Sequence, residues 1–323
     1  MSELRLHARR PLARLSAWAF GATLAAASAL AAPEAPARLG IDAEIGISRA
    51  SSTSPLYRFS PEGALVRLDG RTRLAGSMLN AAVSGQHEAA LAGDWRWSVS
   101  GRAHNSLSRQ ARDLEFGLLG TDVALRHPVA GGVAGIGWSW QHLWVARDDF
   151  RRATAWQLDW VRPFEGGSYL MLAFERARQR HAADFGDLDG VVGQLSVNGR
   201  IEAPGAGLAG IDVQAGWRRE SNRRDLPELS HRGRFLRVAL DRDQGVMRFT
   251  GALMINTARY KAALMDGLAP RRERAVALEL SATADLGDER SVKVHAQWAR
   301  NRAQPALFDN VYRQFGVDYL TGW

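Results

Sequence analysis

The stretch that decides the fold is FGVDYLTGW, Phe315 to Trp323, at the end of the chain. Phe315, Val317, Tyr319, Thr321 and Trp323 recur at every second position, which describes a strand with one face in an apolar phase and the other in a polar one. An edge strand of a soluble sheet is normally blunted by charge or proline. The apolar face of this one carries neither. It needs something greasy to touch, and its backbone needs a partner on each side.

Working back from there, the same period recurs in segments of about ten residues, and no amphipathic helical period stands out. In LGIDAEIGI, Leu39, Ile41, Ala43, Ile45 and Ile47 oppose Asp42 and Glu44. In GVVGQLSVNGRIE, Val191, Leu195, Val197 and Ile201 oppose Gln194, Ser196, Asn198, Arg200 and Glu202. Between the segments, tight turns such as PFEGG (163–167), DRDQG (241–245) and LGDE (286–289) take turns with longer polar stretches such as ARDDFRRA, ARQRHAADFGDLD and RRESNRRDLPELSHR. This is the layout of an all-β, closed antiparallel transmembrane β-barrel of about 14 strands, with short periplasmic turns and longer extracellular loops. The first strands read as 39–47 and 66–85, and a later one as 154–162. The stretch from Tyr57 to Ala92 is long enough to hide another pair, so totals of about 12 or 16 stay open. A soluble two-sheet sandwich shares the alternation. Against it stand the alternating connections, the Trp on one face and the aromatic last strand.

Residues 1–31 have a basic start, an apolar run from Leu15 to Leu30 and the triplet Ala29-Leu30-Ala31, and read as a secretory signal peptide. Residues 32–38 then form a short periplasmic segment and 39–323 the barrel. Removing residues 1–31 takes away four Arg and one Glu and leaves 38 basic against 33 acidic groups. Lys261 and Lys293 are the only lysines, so nearly all positive charge is guanidinium, suited to bidentate contact with carboxylate and phosphate. With no cysteine, there is neither a disulfide framework nor a thiolate metal site.

Hydrocarbon offers unpaired backbone groups no water, so a sheet crosses it only when closed. The last strand then pairs with the first. The opposite faces expose charges that would cost about 2–4 kcal/mol each for Arg or Lys at the bilayer midplane, so they line a lumen. The proposed lumen residues are Arg96, Arg102, Asp159, Arg200, Glu202, Asp212, Arg218, Arg237, Arg248, Glu279, Lys293 and Asp318. A ring this wide is not filled by side chains alone, as one of about eight strands is.

The segment from Arg271 to the end resembles the end of the C-terminal barrel in the surface lipoprotein assembly modifier family, at Arg300, Asn301, Pro305, Phe308, Asp309 and Gly316. Ala303 and Gln304 stand where that family has Ser-Asn. The resemblance covers about the last 100 residues and implies an outer-membrane barrel, here without that family's tetratricopeptide repeat domain. It also implies a secreted lipoprotein or periplasmic partner. The terminal run is similar to the signal read by the barrel assembly machinery, with Phe315, Gly316, Val317, Tyr319 and Trp323 as its residues.

Other chemistry is thin. His104 and Ser106 have a spacing seen in barrel lipases, but they share the face assigned to the lumen and lack an acidic partner. Asp184, Asp187 and Asp189 lack the spacing of a calcium loop. No zinc, P-loop or dinucleotide motif occurs, so no cofactor and no enzymatic activity are expected. The arginine-rich stretches around 147–152, 218–234 and 271–274 read as loops, for which lipopolysaccharide phosphate is a nearer anion than nucleic acid. Two functions follow for this Gram-negative outer-membrane protein: a pore or translocator, or a non-conducting barrel whose loops bind lipopolysaccharide or a partner protein.

Overall fold

The computed structural model describes residues 38–59, 65–203, 207–263 and 269–322. The segment read as a signal peptide, residues 32–37 and Trp323 lie outside the described residues. Within the strands, so do the side chains of 38–39 and 55–72.

The strands are β1 (Arg38–Phe59), β2 (Leu65–Ala90), β3 (Arg96–Ser108), β4 (Phe116–Val129), β5 (Gly132–Val145), β6 (Asp148–Pro163) and β7 (Tyr169–His181). They continue as β8 (Gly190–Glu202), β9 (Gly210–Asn222), β10 (His231–Gln244), β11 (Met247–Tyr260), β12 (Arg272–Gly287), β13 (Arg290–Gln304) and β14 (Asn310–Gly322). Each pairs antiparallel with its neighbours in sequence, and β14 pairs with β1, so all 14 form one closed barrel. The backbone of FGVDYLTGW is therefore satisfied on both sides: Val317 stands opposite Ile47 on β1 and Val294 on β13.

Two expectations need correction. The stretch from Tyr57 to Ala92 hides no extra pair, because β1 and β2 form a single long hairpin of 22 and 26 residues. Pairing of β1 with β14 stops at Thr53 and Val311, and pairing of β2 with β3 stops at Met78 and Ser108. Beyond those points the hairpin pairs with no other strand, and its base packs on the 112–114 turn through Leu74. Secondly, ARDDFRRA is not a loop. β6 starts at Asp148, and only Ala146 and Arg147, both at positive φ (54° and 71°), make the turn. Strand pairing needs only backbone groups, so it continues past the membrane, where alternate residues no longer have to be apolar.

The wall inverts the burial of a soluble protein. Outward side chains include Ile47 at 67% exposure, Trp156 at 62% and Ile201 at 60%, whereas the inward Asp318 is 1% exposed and Asp159 7%. Trp97, Trp138, Trp140, Trp144, Trp156, Trp160, Trp217 and Trp298 all fall on the outward phase. Large apolar side chains turned out all round, with acids turned in, fit a barrel bathed by acyl chains. The chain is a transmembrane barrel of the outer-membrane kind.

Candidate functional site

The register fixes one inward phase for the whole ring. Even positions on β1–β4, odd positions on β5–β7, even on β8 and β9, odd on β10, even on β11, odd on β12 and β13, and even on β14 stand opposite one another, the parity shifting only at the bulges beside the β5–β6 and β12–β13 turns. Arg96, Arg102, Asp159, Arg200, Glu202, Asp212, Arg218, Arg237, Arg248, Glu279, Lys293 and Asp318 all occupy it. They do not form one cluster; they gather in separate groups along the wall.

The densest group lies at the end carrying the shorter turns. Arg200 on β8 donates from Nε to Glu202 Oε1 at 2.6 Å, and from Nη1 to Asp212 Oδ2 at 2.7 Å and Asp241 Oδ2 at 3.2 Å. Thr250 donates to the other oxygen of Asp241 at 2.9 Å. The guanidinium lies flat over β9 because position 210 is glycine: a Cβ there would come within 2.5 Å of Arg200 Nη2. One cation thus answers three carboxylates through charge-assisted bonds.

A second group spans the seam. On β13, Lys293 Nζ lies 3.6 Å from Glu44 of β1 and 3.8 Å from Asp318 of β14, and His295 Nδ1 lies 2.7 Å from Asp318. Gly316 makes room for this, since a Cβ there would meet the His295 ring at 2.6 Å. Phe315, Val317 and Tyr319 point outward at 57%, 39% and 39% exposure. The glycine in the terminal run thus serves the inward wall and its neighbours the outward one.

Smaller groups complete the wall. Arg126 stands 3.9 Å from Asp159, Arg96 3.9 Å from Glu88, and Arg218 3.2 Å from Glu220. Arg248 pairs with Asp243 at 2.8 Å, and Glu279 accepts from Gln297 at 3.0 Å. Arg126 went unread in the sequence, although it shares the phase of Asp122 and that alternation was the available signal. Between the groups, small residues such as Ala153, Ala155 and Ala177 leave an internal cavity of about 430 Å³, bordered by Asp42, Arg102, Asp122, Arg126, Asp159 and Arg218.

The other candidate chemistry is occupied elsewhere. Ser106 is fully buried and donates to Asn80 Oδ1 at 2.7 Å, and Asn80 donates to Ser48 at 3.0 Å, a polar ladder across β3, β2 and β1. His104 stacks on Phe116 at 4.9 Å. Asp187 pairs with Arg224, while Asp189 accepts from the His181 amide at 2.6 Å, so these two acids do not converge.

At the end with the longer connections, which faces the exterior in such barrels, a buried acid ties two connections together. Glu115 takes Arg147 Nε at 2.7 Å, Arg147 Nη2 at 3.1 Å and the Ser108 amide at 2.9 Å. Burial pushes its carboxyl up, and the bonds from Arg147 and Ser108 more than reverse that, leaving it below the ordinary glutamate value.

No known family model matches the chain, and no curated relative matches it. Among solved structures it is similar to the loop L8 deletion mutant of OmpT, an outer membrane protein of Vibrio cholerae, at TM-score 0.48 and 9% identity over 90% of this chain and 100% of that one. Pseudomonas aeruginosa OccK9 gives 0.49 and 11%, over 88% and 98%. An anion-selective porin from Comamonas acidovorans gives 0.46 and 9%, over 88% and 99%. These are likenesses of barrel form.

Proposed function

We propose that this barrel is a pore for ions and small hydrophilic solutes. The observation that carries the proposal is the internal cavity of about 430 Å³, ringed by charged and small side chains inside a closed wall. The short 3₁₀ turns at 112–114, 165–167, 183–188 and 306–308 each pack on strands beside them, the first of them folding Leu114 over the inward-facing Ala50 and Met78 at the rim. Acids have the surplus in the paired groups: Arg200 serves Glu202, Asp212 and Asp241, and Lys293 lies between Glu44 and Asp318. The pore therefore favours cations. In a planar bilayer the purified protein is expected to carry steady current and, in a potassium chloride gradient, to reverse at the cation-selective sign. No current at any voltage would overturn the proposal.

Export of a lipoprotein rests on the residue resemblance alone. Those residues build the β13–β14 connection: Asn301 donates to the Phe308 carbonyl at 3.1 Å and Asp309 accepts from the Ala303 amide at 2.6 Å. They support a shared turn, and the pore reading does not need a protein cargo.

A further inference from the structure

The arginines read as loop residues lie on strands, and their outward phase arranges them in rows. Arg219 of β9, Arg232 of β10, Arg259 of β11 and Arg272 of β12 stand directly opposite one another across the hydrogen-bonded ladder, all exposed. The next outward level toward the membrane centre holds Arg234, Thr257, Arg274 and Arg302 in the same succession. Like charges directly opposite on one face destabilise a sheet, and here a whole row of them has been kept. Among the described residues, no carboxylate lies within 4 Å of any of these seven guanidiniums, whereas the inward Arg200 has three such neighbours.

Just below, the same face turns apolar. Phe174, Leu195 and Trp217 are opposite one another on β7, β8 and β9, with Leu236 and Ile255 beside them. Together with the arginines they border an outward-facing depression of about 1220 Å³. Gly193, opposite Arg219, has open space where a side chain would stand, so the floor is lowest beside the arginine row.

We infer that this groove on the outer wall of β7–β13 binds a phosphorylated, multiply acylated glycolipid of the outer leaflet, the lipid portion of lipopolysaccharide. Its phosphates would neutralise the arginine rows, and its acyl chains would lie on Phe174, Leu195, Trp217 and Leu236. Guanidinium is the residue chemistry for bidentate phosphate contact. The row has a length to match: four strands at about 4.8 Å spacing span roughly 14 Å, enough for two phosphates on one sugar headgroup. The site rests on the orientation of the barrel in the membrane and not on conduction.

The test uses the full mature protein in detergent, with binding read by native mass spectrometry. The probes are a bis-phosphorylated lipid A, the same glycolipid without phosphates, phosphatidylglycerol and inorganic phosphate. The variants are R232Q/R259Q and, as a control at the opposite end of the outer wall, R242Q. The expected result is retention of bis-phosphorylated lipid A by the wild type and by R242Q, at least tenfold weaker retention by R232Q/R259Q, and at least tenfold weaker retention of the other probes by the wild type. Equal retention of the dephosphorylated glycolipid, or an unchanged affinity in R232Q/R259Q, would overturn the site. Phosphatidylglycerol held as tightly as lipid A would overturn the glycolipid assignment. Bilayer current from R232Q/R259Q equal to that of the wild type is expected; because its loss or absence bears on the pore alone, the two proposals fail separately.

Discussion

Arg200 and Arg232 lie on opposite faces of the same wall, and their surroundings have nothing in common. Arg200 points inward onto Glu202, Asp212 and Asp241. Arg232 points outward between Arg219 and Arg259, with no acid near it among the described residues. The inner wall supplies the counter-charges of Arg200 itself. The outer wall leaves them to be supplied by whatever surrounds it. Composition shows only an excess of arginine; the faces separate Arg200, answered by three acids inside, from the row of Arg219, Arg232, Arg259 and Arg272 outside, which among the described residues has no acid within 4 Å.

The sharpest way to break this comparison is to put an arginine where the outer wall has none. Val317 sits near the middle of β14 and faces outward. V317R is expected to destabilise the barrel by about 2–4 kcal/mol, the cost of a guanidinium near the midplane, as read by urea titration of protein refolded into vesicles. An unchanged midpoint would mean that this face is not in hydrocarbon.

Next come the two arginines themselves. In phosphatidylcholine vesicles, which offer no anionic lipid, R200Q is expected to cost about 1.5–3 kcal/mol, because its charged hydrogen bonds are lost and three carboxylates remain. R232Q under the same conditions is expected to be neutral or to stabilise by about 0.2–1 kcal/mol through relief of like-charge crowding. Equal losses in both would erase the distinction between the faces. R200Q should also shift the reversal potential further toward cation selectivity.

The smallest effect concerns Glu115 above the wall. Its carboxyl is held below its ordinary value of 4.5, so the stability it contributes is complete above that value and is lost as pH falls through the depressed one. Limited proteolysis within residues 109–115 should therefore be slow at neutral pH and accelerate only in acid well below the ordinary glutamate range. E115Q should be cleaved faster at neutral pH, with no effect on channel current.

Much of this was legible from residue order. Period two in segments such as 190–202 and 315–323 gives strands, the strand total and the closure, because the membrane forces every strand to advertise its greasy face. The inward phase of Arg200, Asp212 and Asp318 follows from the same alternation. Strand length was not legible. Residues 148–153, 220–222, 259–260 and 301–304 are polar or charged on both faces or interrupt the alternation, so no periodicity marks them as strand, yet their backbones stay paired above the membrane. That blind spot hid the outward arginine rows, which depend on register between four strands. The Glu115–Arg147 bond, between residues 32 apart in sequence, was hidden for the same reason.

With no native cysteine in the chain, single cysteines introduced along β8 test the two-faced wall most directly. In vesicles, Q194C and N198C should react with a small water-soluble maleimide. L195C and V197C should resist it, and a fluorophore attached there before insertion should be quenched by brominated acyl chains. If all four positions react alike, or if the pattern is reversed, the closed wall with water inside and lipid outside is wrong.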